Sequence, residues 1–201
     1  TDFDEVYELL RRSSRGRYGL SRTEILFDSA RKSVGFQRGL DGISATIKFL
    51  LEEIESLNGI LRNFDDQINS LAESLPAYLF TLPGATNLSI VSLFGEIGEI
   101  TAFSNPSQLT AFAGLDPKVY QSGQYDAPNR KISKRGSPYL RQTLWQMAFR
   151  ATFKEGLLKD YFWKKRKEGK HHLVAITACA NKLCKITWRI MTEQRDYIQK
   201  I

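Results

Sequence analysis

Cations, turn-forming residues and one Ser-Gly dipeptide are concentrated in the segment at residues 118–141. Against a single acid, Asp126, the segment has six basic residues: Lys118, Arg130, Lys131, Lys134, Arg135 and Arg141. It is interrupted by four turn formers: Gly123, Pro128, Asn129 and Gly136. We therefore expect a loop that presents amide, guanidinium and ammonium groups together, which suits phosphate. A solvated basic loop without a ligand is the alternative.

Two further features of this segment favour a nucleic acid as its ligand. Tyr120, Tyr125 and Tyr139 are interleaved with the cations, and tyrosine rings stack on bases and sugars. Ser137 followed by Pro138 has the pattern of a helix N-cap and first helical residue, and helix N-termini attract phosphate. The segment is thus predicted to contact nucleic acid, chiefly through phosphate.

A second cationic stretch lies closer to the C-terminus and repeats the combination of aromatic and basic residues. Tyr161, Phe162 and Trp163 are followed there by four consecutive cations: Lys164, Lys165, Arg166 and Lys167. From residue 118 onward the net charge is about +13, whereas the total is +7. The predicted nucleic-acid-binding surface therefore belongs to the last third of the chain, and the pI near 9.4 fits a polyanionic partner.

The motifs GLDP, QSG, ISKRG and YLR, in this order, resemble the C-terminal transposase domain of DEDD-type insertion-sequence transposases. These are of the insertion-sequence-110 type and are also called bridge-RNA-guided recombinases. The resemblance covers most of the chain from Leu75 to Ile190. It implies that Ser122, the serine of the SG motif, is the nucleophile for DNA strand cleavage and exchange. It also implies DNA and a guide RNA as partners.

The resemblance further implies a separate N-terminal RNase-H-like domain with four acidic residues and a divalent metal, Mg²⁺, which these 201 residues do not contain. A serine hydroxyl becomes a good nucleophile when a base takes its proton and positive charge stabilises the attacked phosphate. Cations surround Ser122 in the sequence, but Asp126 is the one nearby carboxylate and no histidine is close. We expect this chain to supply part of a composite active site and to be inactive alone.

Three alternatives stay open at this point. The Ser122 hydroxyl can be satisfied by its own backbone rather than act in catalysis. The chain can be a noncatalytic nucleic-acid-binding and dimerisation module that uses the same basic loops. A scaffold that only oligomerises leaves the charge of the last third unexplained.

The sequence predicts no metal or disulfide chemistry within this chain. Cys179 and Cys184 are the only cysteines, and their spacing places them on different faces of a predicted helix. His171 and His172 are the only histidines, so no zinc cluster can form. Without a secretory signal or a run of apolar residues that spans a bilayer, we expect a cytoplasmic protein with no membrane partner. The start at Thr1, inside a helical run, indicates a piece of a longer protein.

A seven-residue apolar repeat runs from Ile43 to Leu75 with alternate spacings of four and three. This pattern predicts a coiled-coil helix, and hence a homo-oligomer of two or more chains. The predicted dimerisation residues are Ile47, Leu50, Ile54, Leu57, Leu61, Phe64 and Ile68. The alternative is one long helix that packs along its own domain, and the direction of pairing stays open.

The predicted fold class is all-α: a helical transposase domain with a long coiled-coil helix or hairpin and basic loops. We divide the chain into an N-terminal helix pair at 1–40, a coiled-coil helix at 41–75 and a transposase domain at 76–201, which contains the basic loop 118–137. Ser21 and Glu24 predict a capping box at the second helix. Leu173 is expected to begin the core stripe of the last helix.

Pro83 and Gly84 form a predicted tight turn between two helices. The turn resembles that of helix-hairpin-helix modules, in which backbone amides approach a DNA phosphate closely. No Lys or Arg lies between Pro76 and Pro117, which favours a simple interhelical turn instead.

Overall fold

The computed structural model describes residues 2–33, 40–117, 121–122, 125–126 and 131–198. Within these ranges it contains eight α-helices and one pair of two-residue strands, which confirms the predicted all-α class. The helices are α1 (Phe3–Ser13), α2 (Leu20–Lys32), α3 (Leu40–Glu73), α4 (Asn87–Ile97), α5 (Pro106–Phe112), α6 (Pro138–Ala151), α7 (Leu157–Lys167) and α8 (His172–Glu193). The strands are β1 (Gln121–Ser122) and β2 (Tyr125–Asp126), and short 3₁₀ helices lie at Ala77–Thr81 and Ile100–Ala102.

The chain falls into two compact units, Thr1–Asn58 and Gly59–Ile201. In the first unit α1 and α2 pack together, and the rings of Phe3 and Phe27 lie 5.0 Å apart. The predicted capping box is wrong, because α2 begins at Leu20 with Gly19 as its N-cap. The predicted division into helix pair, coiled-coil helix and transposase domain stays a prediction.

The predicted coiled-coil segment forms one continuous helix, α3, of 34 residues. Six of the seven predicted dimerisation residues are more than half exposed: Ile47, Leu50, Ile54, Leu57, Leu61 and Phe64. Ile68 is partly buried. Exposed apolar side chains on one helix face are typical of a surface that pairs with another helix, but the pairing itself stays a prediction.

The core of the second unit lies between α6 and α8, which pack along each other while α4, α5 and α7 cover them. Leu140, Leu144 and Met147 repeat at helical spacing on α6 and are fully buried. On α8 the fully buried residues are Ala175, Ile176, Cys179, Ala180, Leu183, Cys184 and Thr187. This packing fixes the ends of α5 and α6, between which the basic loop runs.

The start of α8 differs from the sequence prediction. Leu173 is 52% exposed, so its assignment to the core stripe is wrong, because Ala175 and Ile176 are the first side chains of α8 that face the core. The helix ends at Glu193, where Gln194 adopts the left-handed conformation with φ 48°. No helix in the described part of the chain is both long and apolar enough to cross a membrane.

Candidate nucleic-acid interface

The GLDP turn after α5 and the ISKRG turn before α6 are joined by their backbones. Three amide hydrogen bonds connect them: Ser133 to Asp116 at 2.7 Å, Lys134 to Gly114 at 3.0 Å and Ser137 to Phe112 at 2.7 Å. Pro117 and Ile132 extend the contact as an isolated antiparallel bridge. The described end of the basic loop is therefore held against α5 rather than free in solution.

Two glycines make this close approach possible. A Cβ atom on Gly136 would lie 1.7 Å from the carbonyl oxygen of Phe112, which is far too close for two non-bonded atoms. Gly114 has φ +64°, and a Cβ there would lie 2.7 Å from Nη1 of Arg141. The glycines of GLDP and ISKRG are thus required by the packing of one turn on the other.

Two serines of the basic segment are engaged in structural hydrogen bonds. The Ser133 hydroxyl donates to the Asp116 carboxylate, and Ser133 is 8% exposed. The Ser137 hydroxyl donates to Oε2 of Glu96 at 2.6 Å and accepts from the amide of Leu140 at 3.0 Å. This second bond confirms Ser137 as the N-cap of α6, with Pro138 at the first helical position.

Neither acceptor carboxylate, Asp116 or Glu96, was predicted from the sequence. Asp116 lies between Leu115 and Pro117 in a turn, a place where a carboxylate commonly forms hydrogen bonds, and this signal could have identified it. Glu96 is 41 residues from Ser137 and carries no comparable local signal. Its role depends on how α4 packs on α6.

The cations of the ISKRG turn differ in their surroundings. Lys131, Lys134 and Arg135 are exposed, and Lys134 adopts a left-handed conformation with φ 55°. Arg141 is partly buried, and its Nη1 donates to the Ala113 carbonyl at 3.1 Å. The first three are available to an anion, whereas Arg141 stabilises the packing of α6 on the end of α5.

Ser122 is the last residue of β1 and pairs with Tyr125 of β2, while Gln121 pairs with Asp126. The backbone thus places the SG serine in a small antiparallel hairpin. The predicted contacts Lys118 and Arg130 lie outside the described residues. So does Tyr120.

The four cations at the end of α7 also differ in their contacts. Lys165 forms an ion pair of 2.7 Å with Glu168, and this hydrogen bond raises the pKa of Lys165 above its usual value. Arg166 donates to the backbone carbonyl of Lys170 at 2.7 Å. Lys164 and Lys167 are exposed. These two ammonium groups are available to an anion.

The Pro83–Gly84 turn packs against the backbone of α6. A Cβ on Gly84 would lie 2.0 Å from the Met147 carbonyl oxygen, and Nε of Arg150 donates to the Gly84 carbonyl at 3.0 Å. Here the glycine is needed for close packing of two helical segments. This geometry favours the interhelical-turn alternative over a turn that approaches phosphate.

Among the described residues, no three His, Cys, Asp or Glu side chains are grouped so that they could hold a metal ion. The divalent metal implied by the family resemblance therefore does not fit this part of the protein. Both cysteines are buried free thiols, and burial raises the pKa of Cys179 and of Cys184 to about 11. Protonated buried thiols are inert, which leaves the basic turns as the candidate site.

The part of the chain that contains the joined turns is similar to known transposases. A sequence model of the transposase IS116/IS110/IS902 family matches residues 77–162, the range that contains α4, α5, the joined turns and α6. The transposase for insertion sequence element IS1111A of Coxiella burnetii is 31% identical over 151 residues, 68% of this chain and 41% of that protein.

Two further relatives extend the comparison. The transposase for insertion sequence element IS1328 of Yersinia enterocolitica is 30% identical over 72% of this chain and 42% of its own length. The pilin gene-inverting protein of Moraxella bovis is 24% identical over 75% of this chain and 49% of its own length. The chain spans less than half the length of these relatives. The domain at residues 77–162 belongs to the IS116/IS110/IS902 family of transposases.

Proposed function

We propose that this chain is the C-terminal part of a transposase that binds DNA on its basic turns and supplies Ser122 as the nucleophile for strand cleavage and exchange. Family membership gives the reaction class, DNA transposition or recombination. The assignment of Ser122 comes from the family resemblance of the QSG motif, and the contacts around the joined turns support it.

One observation supports the assignment: the hydroxyl groups of the other two serines in residues 118–141 already form structural hydrogen bonds. Ser133 is buried on Asp116, and Ser137 caps α6 while it donates to Glu96. Attack by either oxygen on a DNA phosphorus would break contacts that hold the turns together. Ser122 belongs instead to the QSG motif, and its backbone pairs with Tyr125.

The proposed reaction follows from ordinary phosphoryl-transfer chemistry. The Ser122 oxygen forms a bond to phosphorus while a base takes the hydroxyl proton. The bond to one deoxyribose oxygen breaks and that oxygen takes up a proton, which leaves a phosphoserine linkage and a free strand end. The hydroxyl of a different strand end then attacks the linkage, forms the new bond to phosphorus and releases Ser122, whose oxygen regains a proton. Exposed cations such as Lys134 and Arg135 would stabilise the negative charge that develops on the phosphate oxygens.

The base is expected elsewhere in the protein, in the acidic RNase-H-like domain that the family resemblance implies. Any metal ion would act there too, since the described residues offer no metal site. We therefore expect this chain alone to bind nucleic acid without cleaving it.

We further propose that α3 pairs with α3 of a second copy of the chain. The predicted seam is exposed along most of the helix, and its burial against an identical seam would remove apolar surface from water. Two copies would bring two Ser122 residues into one assembly, which is what an exchange of two strands requires.

A guide RNA is the second proposed nucleic-acid partner, and this proposal depends on family membership. The basic surfaces suit it, because phosphate contacts do not by themselves discriminate RNA from DNA. A noncatalytic nucleic-acid-binding and dimerisation module is the competing function. It would use the same exposed cations without a nucleophile.

The deciding experiment uses the full-length protein with a labelled DNA substrate and measures a covalent protein–DNA adduct. Ser122→Ala is expected to abolish the adduct and strand exchange while leaving stability within about 0.5 kcal/mol. The matched control is Ser137→Ala, which removes the α6 cap, lowers stability by about 1 kcal/mol and retains the adduct. Mass spectrometry of the digested adduct locates the modified serine.

The competing function makes the opposite prediction. If the wild-type full-length protein formed no adduct and exchanged no strands, but bound DNA with the same affinity as Ser122→Ala, the chain would be a binding module. An adduct that persisted in Ser122→Ala would show that another residue is the nucleophile.

A further inference from the structure

The three consecutive aromatic residues of α7 have different surroundings. Phe162 is 8% exposed and belongs to the core. The Tyr161 ring is covered by two ammonium groups, with Nζ of Lys165 at 5.4 Å and Nζ of Lys182 at 4.5 Å from its centroid. Trp163 is 53% exposed. Of the three rings, Trp163 is thus the one with a large surface open to a ligand.

The indole ring is held in a defined orientation although it is exposed. Its centroid lies 5.5 Å from that of Phe162, at an interplanar angle of 76°. Since Phe162 is fixed in the core, this edge-to-face contact limits the rotation of Trp163. An exposed ring that is already oriented loses little conformational entropy when a flat ligand stacks on it.

Charged side chains of both signs surround Trp163. The ring lines a shallow concavity of about 560 Å³ with Lys164 and with Lys167, one helical turn further along α7. Asp160 and Glu168 also line it, but the Glu168 carboxylate is paired with Lys165 at 2.7 Å. The concavity therefore combines an apolar ring with two exposed ammonium groups and the exposed carboxylate of Asp160.

This combination selects the chemistry of the ligand. An aliphatic partner would bury Lys164 and Lys167 without partners, which is costly. A ligand with flat rings and regularly spaced negative charges satisfies both the indole and the lysines. We propose that Trp163 is a stacking platform for an unpaired nucleobase of a single-stranded DNA or RNA segment, whose phosphates contact Lys164 and Lys167.

The inference rests on the proposed nucleic-acid binding and adds a preference for single strands over duplexes. In a duplex the bases stack on each other, so their faces are closed to Trp163 and only phosphate contacts remain. A single strand offers both open base faces and phosphate groups. The α7 surface should therefore prefer unpaired strands, whereas Lys131, Lys134 and Arg135 should bind phosphate in either form.

The test measures the affinity of this chain for four probes by intrinsic tryptophan fluorescence and by anisotropy of labelled strands. The probes are oligothymidine, oligouridine, an abasic strand of the same length and a DNA duplex. Trp163→Ala is expected to weaken oligothymidine or oligouridine binding about fivefold or more, and to leave abasic-strand and duplex binding unchanged. Trp163→Phe should retain part of the affinity.

Two controls make the result specific. Phe153→Ala removes an aromatic residue that is 70% exposed outside the cationic end of α7, and should not change binding of any probe. Static quenching of fluorescence by oligothymidine should be lost in Trp163→Phe, although Trp145 and Trp188 remain. Loss of affinity for only one of the two base-bearing strands would identify DNA or RNA as the ligand.

The contrary outcomes are distinguishable. Equal weakening of abasic and base-bearing strands by Trp163→Ala, or no weakening of either, would overturn the stacking role. In that case, duplex binding that depends on Lys131, Lys134 and Arg135 would leave the proposed function standing. Wild-type protein that bound none of the four probes would refute both proposals.

Discussion

The α-carbon of Gly136 packs directly against the carbonyl group of Phe112, and a Cβ at this position would lie 1.7 Å from the carbonyl oxygen. Phe112 is the last residue of α5, and Gly136 lies two residues before α6. This contact determines where the cations of the ISKRG turn are held. The position of the basic surface therefore depends on a residue with no side chain.

We predict that Gly136→Ala forces the two turns apart and destabilises the protein by about 2 to 4 kcal/mol. A second backbone oxygen, that of Ala111, would lie 2.8 Å from the new Cβ, so neither neighbour can move aside as a flexible side chain would. Thermal or urea denaturation measures the loss.

The matched control is Gly95→Ala on α4, where a Cβ meets no atom within 4 Å. Alanine has the higher helix propensity, so this variant should gain about 0.5 to 1 kcal/mol. Equal stability of the two variants would contradict the packing described for Gly136.

Local structure near the site was predictable from the sequence, whereas its tertiary contacts were not. The Ser137–Pro138 helix start was identified because a cap and its first turn are adjacent in the chain. The Ser137–Glu96 hydrogen bond spans 41 residues and needs the packing of α4 on α6. Patterns of neighbouring residues carry no information on such contacts.

Arg141 shows the same limit for charged residues. Its sequence context resembles that of Lys134 and Arg135, and all three were predicted to bind nucleic acid. The local sequence does not distinguish a solvent-exposed cation from one whose guanidinium group donates a hydrogen bond to a backbone carbonyl. Only the position of Ala113 relative to the start of α6 separates them.

We predict that Arg141→Gln lowers stability and Arg135→Gln does not. Loss of the hydrogen bond to the Ala113 carbonyl should cost about 1.5 to 3 kcal/mol, since a charged donor is removed from a partly buried acceptor. The exposed Arg135 should change stability by less than about 0.5 kcal/mol. Urea denaturation of the two variants side by side provides the comparison.

We predict that replacement of Lys131, Lys134 and Arg135 by Ala weakens duplex DNA binding and reduces its salt dependence. Each lost phosphate contact should flatten the slope of log K against log salt by about 0.9, for up to about three contacts. Lys48→Ala, in the acidic α3 segment, is the control and should leave the slope unchanged. A triple variant with the wild-type slope would exclude this turn as the phosphate site.

We predict that stability falls as the pH rises from about 9 to about 11. Burial raises the pKa of the Cys179 and Cys184 thiols from 9.0 to about 11, so in this range the native state keeps protons that the unfolded state releases. Deprotonation therefore favours the unfolded chain, and the thiol contribution is fully present below pH 9.

Denaturation across this pH range measures the effect, and Cys179→Ala with Cys184→Ala should remove it. Burial also raises the pKa of Tyr197, so the comparison is made in a Tyr197→Phe background. The native thiols should also resist alkylation at neutral pH. Rapid alkylation of the folded protein would show that they are not buried.

The last prediction concerns association through α3. Burial of the predicted seam against a second copy should contribute on the order of 10 kcal/mol or more before ordering costs, at about 1.5 to 3 kcal/mol for each side chain. Leu57 lies near the middle of the seam and is 56% exposed in the single chain. Leu57→Lys would place an ammonium group in the paired interface, so it should lower the molar mass measured by light scattering.

Ser56→Lys is the matched control, because it adds the same charge one residue away at a position outside the a/d pattern. It should leave both molar mass and melting temperature unchanged. Leu51 and Ile60 are also exposed and occupy the e and g positions that flank the seam, so they widen the apolar face beyond a simple two-stranded seam. If pairing uses this wider face, Leu51→Lys should weaken association as Leu57→Lys does. A wild-type chain that is monomeric at high concentration, with a melting temperature unaffected by Leu57→Lys, would refute the pairing.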